Sequence, residues 1–227
     1  MNVLEKIKGG LIVSCQALED EPLHSSFIMA KMAKAAKLGG AAGIRANSVQ
    51  DIIEIKKEVD LPVIGIIKIN YPDSLVYITP TEKEIDALVK CGCEIIAIDA
   101  TCRVRPNNQT LETFFTNVRK KYPNKLFMAD CATYDEGKNA AALGFDLIGT
   151  TLNGYTDESK NDNTPNFNLM SAFVRDLKKP VIAEGNIWTI EQLQQVKECG
   201  VHAVVMGSAI TRPMLITQRF VNIMKGN

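Results

Sequence analysis

The chain has 227 residues, 46% of them hydrophobic, with 26 Lys+Arg balancing 26 Asp+Glu. That length can bury one sizeable core, and the even charge excludes the basic field that a nucleic-acid or anionic-membrane partner requires. No apolar run approaches the roughly 20 residues of a bilayer span, and residues 1–8 lack a signal-peptide core, so a cytoplasmic protein is expected.

The first apolar run, Leu11–Cys15, reads as a strand that ends on Gln16. Gly39 and Gly40 close the next helical stretch and lead into a strand at Ala42–Arg45. Pro62 introduces the strand Val63–Lys68, followed by a long connection, Asn70–Thr81. Thr81-x-x-Glu84 is a capping box, and Ile85, Leu88 and Val89 recur at helical spacing behind it. Gly92 ends that helix before Ile95–Asp99, and a second long connection covers Ala100–Thr110. Pro123 precedes Leu126–Asp130, Gly144 precedes Leu147–Thr150, and a third long connection spans Leu152–Pro165. Pro180 introduces Val181–Glu184. A capping box at Thr189-x-x-Gln192 opens a helix carrying Leu193, Val196 and Lys197. Gly200 then leads into Ala203–Met206, with a final helix from about Pro213.

Eight strands alternate between glycine and proline punctuation, with helical segments between them. Continuous apolar runs such as Ile95-Ile96-Ala97-Ile98 suit a parallel sheet buried on both faces. The fold class expected is α/β: a single (β/α)8 TIM barrel covering residues 1–227, slightly short for its type. Its active face lies at the C-terminal ends of the strands, where the three long connections are candidate lids.

A polar ring stands at those ends: Gln16, Arg45, Lys68, Asp99, Asp130 and Glu184. Burying such charges is costly, so the ring is either a rim of mutually paired charges or a site. Lys68 ends an apolar run and should project into the mouth, where desolvation and Arg45 would lower its pKa, as a base requires. Strands 3 and 7 lie four apart, so Lys68 and Glu184 approach from opposite sides. That arrangement suits removal of a proton α to a carbonyl from one face and its return to the other. It equally suits a binding clamp.

The last two strands each run into a small-residue turn, Glu184-Gly185-Asn186 and Met206-Gly207-Ser208. Gly185 and Gly207 let backbone N–H groups approach an anion, with a helix following each turn. Arg212 adds a guanidinium that can fork two phosphate oxygens. This is the pattern of the phosphate site after strands 7 and 8 of a (β/α)8 barrel. Trp188 is expected to pack beside it. Of the two histidines, His24 reads as a loop residue and His202 as structural. Cys91 and Cys93 have no matching second pair, and the six cysteines read as small reduced core residues, so no metal is expected.

The motifs Ser14-Cys15-Gln16, Gly43-Ile44-Arg45, Ile78-Thr79-Pro80-Thr81, Val181-Ile182-Ala183-Glu184-Gly185 and Gly207-Ser208-Ala209-Ile210-Thr211-Arg212-Pro213 together resemble the N-acetylmannosamine-6-phosphate 2-epimerase (NanE) family, from Gly10 to the C-terminal helix. The resemblance implies a phosphate-binding barrel without organic cofactor. It implies interconversion of N-acetylmannosamine 6-phosphate and N-acetylglucosamine 6-phosphate in sialic acid catabolism, with a homodimer expected. It implies Lys68 as the base at C2 and Glu184 as the carboxylate acting with it. Gln16, Arg45 and Asp130 would hold the sugar; Gly185, Asn186, Gly207, Ser208 and Arg212 would hold the phosphate. Many members carry Arg where this chain has Asn186.

Three other readings stay open on the residues alone. A Schiff-base aldolase would use Lys68 as a nucleophile. A metal-dependent pentose-phosphate 3-epimerase needs histidine and carboxylate ligands that two badly placed histidines cannot supply. A non-catalytic sugar-phosphate binder has no need of Lys68 and Glu184 on opposite strands.

Overall fold

A computed structural model describes residues 2–160 and 164–226. Eight parallel strands close into a barrel in chain order: β1 Leu11–Cys15, β2 Gly43–Asn47, β3 Val63–Ile66, β4 Ile95–Asp99, β5 Leu126–Asp130, β6 Leu147–Gly149, β7 Val181–Glu184 and β8 Ala203–Met206. β8 returns to β1 through Ile12 opposite Val205. The surrounding helices are α2 Ser26–Leu38, α3 Val49–Glu58, α4 Glu82–Lys90, α5 Leu111–Lys121, α6 Tyr134–Leu143, α7 Phe167–Asp176, α8 Ile190–Glu198 and α10 Pro213–Met224. Among the described residues no helix is long and apolar enough to cross a membrane.

The glycine punctuation works as expected: Gly40, Gly92, Gly144 and Gly200 all take left-handed φ at the ends of α2, α4, α6 and α8. The capping boxes at Thr81 and Thr189 are formed, and a third, Thr133 with Glu136, opens α6.

Side-chain alternation along the strands divides two cores. Val63, Ile96, Phe127 and Ile148 face the helices, whereas Ile12, Ile64, Ile66, Ile95, Met128, Leu147, Ile182 and Val205 fill the barrel. The bottom of that interior is stoppered by Ile7, from a short helix α1 (Val3–Ile7) absent from the sequence reading. His202 ties α1 down: its Nε2 lies 3.0 Å from the carbonyl of Leu4, and its own carbonyl accepts from Gly9.

Several boundaries differ from expectation, β6 among them, which ends at Gly149. β2 runs two residues past Arg45, to Asn47. β3 stops at Ile66, because the following chain folds back: Lys68 bridges Ile78, Thr79 N–H donates to Ile67, and Ile69 N–H donates to Tyr77. A four-residue helix, α9 (Ser208–Thr211), separates β8 from α10.

Candidate active site

The C-terminal mouth of the barrel holds a cavity of about 200 Å³. Gln16, Arg45, Lys68 and Glu184 line it, with Gly185, Asn186, Gly207, Ser208 and Arg212 along the β7–β8 side. Of the ring residues, Asp130 lies below the lining, fully buried. Both its oxygens are taken: Oδ2 accepts from Arg45 Nη2 at 2.6 Å, and Oδ1 accepts from Arg45 Nη1 at 3.2 Å and from Thr151 Oγ1 at 2.7 Å. Asp99 is also fully buried, turned away to Thr101 and Arg103.

Arg45 is the hub. It pairs with Asp130 in the fork–fork manner and reaches Glu184 Oε2 at 3.2 Å. Burial works against its charge, yet the two carboxylates outweigh burial and hold its pKa above the usual value. The Thr151 hydroxyl lies within reach of both Asp130 and Glu184, at 2.7 and 3.1 Å.

Lys68 stands apart from this network. Asn47 Oδ1 fixes its backbone N–H at 2.8 Å, but its ammonium has no ion pair among the described residues. Burial, then the charges of Arg45 and Arg212, lower its pKa to about 8. Glu184 moves the other way: burial raises it, Arg45 opposes, and Asp130 adds to the rise. An amine drawn down and a carboxyl pushed up, at the ends of strands four apart, have pKa values displaced toward one another.

The turn after β7 is suited to an anion. Gly185 and Asn186 both have positive φ, 111° and 57°, and Gly185, Asn186 and Ile187 donate no backbone hydrogen bond within the described residues. The N-terminus of α8 is not available in the same way. Gln192 Oε1 accepts from Trp188 and Thr189, so that helix caps itself. Gly207 allows a close approach, since a Cβ there would stand 3.1 Å from Ser14 Cβ and Ser14 would have to give by a few tenths of an ångström. Arg212 overlooks the turn and pairs with Glu21 at 3.2 Å. Trp188 lines the same cavity beneath the guanidinium of Arg219, which sits 4.4 Å from the ring centre.

Of the candidate lids, Asn70–Thr81 contributes Tyr77 and Ile78 to the lining, and Leu152–Pro165 contributes Tyr155; residues 161–163 of the latter lie outside the described residues. Burial, then Asp99, pushes the Tyr77 phenol up to about 12, so it remains a neutral donor at pH 7. Ala100–Thr110 does not reach the cavity. Arg105 clamps that loop by donating to the carbonyls of Thr79, Pro80 and Asp99. Thr151, Asn47 and Glu21 are the site residues that strand-end reasoning missed, whereas Tyr77 lies in the connection expected as a lid. Thr151 offered a signal, standing just past a strand end as Lys68 does.

A charged hub, an amine with no ion pair among the described residues and a raised carboxyl beside a glycine-built turn make this mouth of a (β/α)8 barrel the candidate active site. Residues 29–226 match the family described as NanE, putative N-acetylmannosamine-6-phosphate epimerase. The chain belongs to that family. It is 57% identical over 225 residues to a putative N-acetylmannosamine-6-phosphate 2-epimerase of Clostridioides difficile, covering 99% of this chain and 100% of that one. A relative of the same name from Borreliella afzelii is also 57% identical, over 97% of each chain. Among solved structures, the N-acetylmannosamine-6-phosphate 2-epimerase from Clostridium perfringens superposes with a TM-score of 0.94 at 53% identity, covering 98% of this chain and 96% of its own. The barrel is shared more widely: a thiamine phosphate pyrophosphorylase from Pyrococcus furiosus reaches a TM-score of 0.63 at 16% identity.

Proposed function

We propose that the chain inverts C2 of N-acetylmannosamine 6-phosphate to give N-acetylglucosamine 6-phosphate, acting on the open-chain aldehyde in amino-sugar catabolism. The observation that carries this reading is the pairing of Lys68, a lysine without an ion pair among the described residues and with pKa about 8, with Glu184 across one cavity. Neutral Lys68 removes the C2 proton, which is acidified by the adjacent aldehyde, and Glu184, whose pKa burial raises, passes a proton to the opposite face. As the proton leaves, negative charge grows on the aldehyde oxygen. Arg45, already fixed by Asp130, offers positive charge there without reorganising. Asp130 therefore acts as a positioning residue, while Gln16 and Arg45 contact the sugar.

The 6-phosphate is received by the N–H groups of Gly185, Asn186 and Ile187, which donate to nothing among the described residues, by the Gly207–Ser208 turn and by Arg212. No organic cofactor or metal enters the chemistry. Residues 1–227 work as one cytoplasmic domain in a homodimer, supported by Phe220, Ile223 and Met224 of α10, which stand 71%, 74% and 87% exposed.

The test is an assay of the purified protein with N-acetylmannosamine 6-phosphate, in the presence of a chelator, followed by NMR. Appearance of N-acetylglucosamine 6-phosphate is expected. Equal activity on the unphosphorylated sugar, loss of activity with the chelator, or a borohydride-trapped adduct on Lys68 would contradict the reading.

A further inference from the structure

Thr151, just past β6, lies between two carboxylates with one hydrogen to give. Its Oγ1 stands 2.7 Å from Asp130 Oδ1 and 3.1 Å from Glu184 Oε2. A hydroxyl donates once and can accept twice. With both acids ionised, one of the two contacts therefore sets oxygen lone pairs against each other. With one acid protonated, the hydroxyl makes both hydrogen bonds.

Which acid holds the proton follows from their other partners. Asp130 takes both terminal nitrogens of Arg45, at 2.6 and 3.2 Å, so its ionised form is the one Arg45 holds. Glu184 Oε2 reaches Arg45 Nη1 at 3.2 Å as an ion-pair contact only. Among the described residues, Thr151 is the one side chain hydrogen-bonded to its carboxyl. The neighbouring Thr150 pins the backbone beneath: its Oγ1 donates to the Glu184 carbonyl at 2.9 Å and accepts the Glu184 N–H at 3.1 Å. The charged and titratable groups facing Glu184 are Arg45 from β2, Lys68 after β3, Asp130 from β5 and Tyr155 from the connection after β6, and Arg212 lines the same cavity. Burial raises the Glu184 pKa, Arg45 opposes that, and Asp130 adds to the rise.

We propose that Thr151 is a positioning residue that keeps the transferable proton on Glu184. Its hydrogen goes to Asp130, and its oxygen accepts the O–H of Glu184 Oε2. The use of this proton at C2 rests on the epimerase reading above; its place on Glu184 does not. On transfer, the new C2–H bond takes the electron pair of the enolate, and the pair of the O–H bond stays on Oε2. The Thr151 hydroxyl then turns its hydrogen from Asp130 to the new carboxylate, while Asp130 keeps both bonds from Arg45.

The test is carbon-13 NMR of the enzyme labelled at its glutamate carboxyls, with Glu184→Gln identifying the Glu184 signal. Wild type, Thr151→Val, Thr151→Ala and Thr151→Ser are titrated. The wild-type Glu184 midpoint is expected above the value of about 4.3 for a free glutamate. It should fall by about 0.4–1.1 pH units in the Val and Ala variants, the worth of one hydrogen bond, and return in Thr151→Ser. In parallel, kcat for N-acetylmannosamine 6-phosphate should fall by up to about tenfold in Val and Ala with KM little moved, and recover in Ser. A hydroxyl that merely donated to Glu184 would lower its pKa, so a midpoint that stays or rises in either folded variant overturns the proposal. A midpoint that falls while kcat holds overturns the positioning role. If the midpoint shifts as expected but the wild type turns over no N-acetylmannosamine 6-phosphate, the epimerase reading falls and the proton held by Thr151 stands.

Discussion

The lower and upper halves of the barrel interior come from the same eight strands, yet a step of two residues along a strand changes the chemistry completely. Ile64 and Ile66 on β3 are dry core, and Lys68 is a half-buried charge. Ile182 on β7 is fully buried in the same apolar cluster, and Glu184 sits in the cavity. The lower half stabilises by burying apolar surface without polar groups to satisfy. In the upper half desolvated charges are held in place by one another, and their pairing offsets rather than exceeds the cost of burial. Stability therefore resides below, and the proposed chemistry above. Substitutions in the two halves should separate accordingly.

The largest effect is expected at Lys68. Lys68→Met should lower kcat by about 10²–10⁴, the usual contribution of a general base, with no loss of thermal stability because an unpaired desolvated charge disappears. Near-wild-type kcat in this variant would remove Lys68 from the chemistry. Next comes Glu184→Gln, which keeps shape and removes proton-transfer capacity. It should lower kcat by roughly 10²-fold while KM moves little.

Ile64→Ala sharpens the contrast from the other side. It should cost about 2–5 kcal/mol of stability by chemical denaturation, with kcat of the folded fraction within a few-fold of wild type. A collapse of kcat at unchanged stability would break the division. Arg212→Ala should raise KM by roughly tenfold to a hundredfold, the worth of a hydrogen bond to a charged group, and leave kcat close to normal. Indistinguishable kinetics for Arg212→Ala and Glu184→Gln would mean that grip and chemistry are not separate.

The smallest effect is on stability against pH. Lys68 titrates near 8 in the folded chain and near 10.4 when unfolded. Between those values the unfolded chain holds a proton that the folded chain lacks, so stability contributed at this site rises with pH across about 8 to 10.5. The wild type should gain on Lys68→Met by on the order of 1–3 kcal/mol over that window. A difference that stays flat or runs the other way contradicts the placement of Lys68. The same ionisation should make kcat/KM rise as pH passes through about 8.

Much of the lower half was legible because its signals are local and periodic. Glycine ends helices through φ alone, and apolar runs mark the strands. Lys68, Glu184 and Arg45 could also be seen, as charges at the ends of such runs. What escaped notice depends on contacts remote in sequence. Thr151 stands just past a strand end, but its role shows only when β5 and β7 bring Asp130 and Glu184 to it. Asn47 matters only because it takes the Lys68 N–H, and Glu21 only because α10 brings Arg212 beside it. The fold-back of 68–79 leaves no periodic trace, so β3 was extended by two residues. Asp130, expected against the sugar, is instead buried behind Arg45; a strand-end position does not tell lining from support.

Solvent exchange at C2 tests the central claim most directly. With N-acetylmannosamine 6-phosphate in D₂O, removal by Lys68 and return by Glu184 predict deuterium at C2 of the N-acetylglucosamine 6-phosphate formed, and no uptake with Lys68→Met. Product that forms at the normal rate with its C2 protium retained, or uptake that persists in Lys68→Met, would contradict the account.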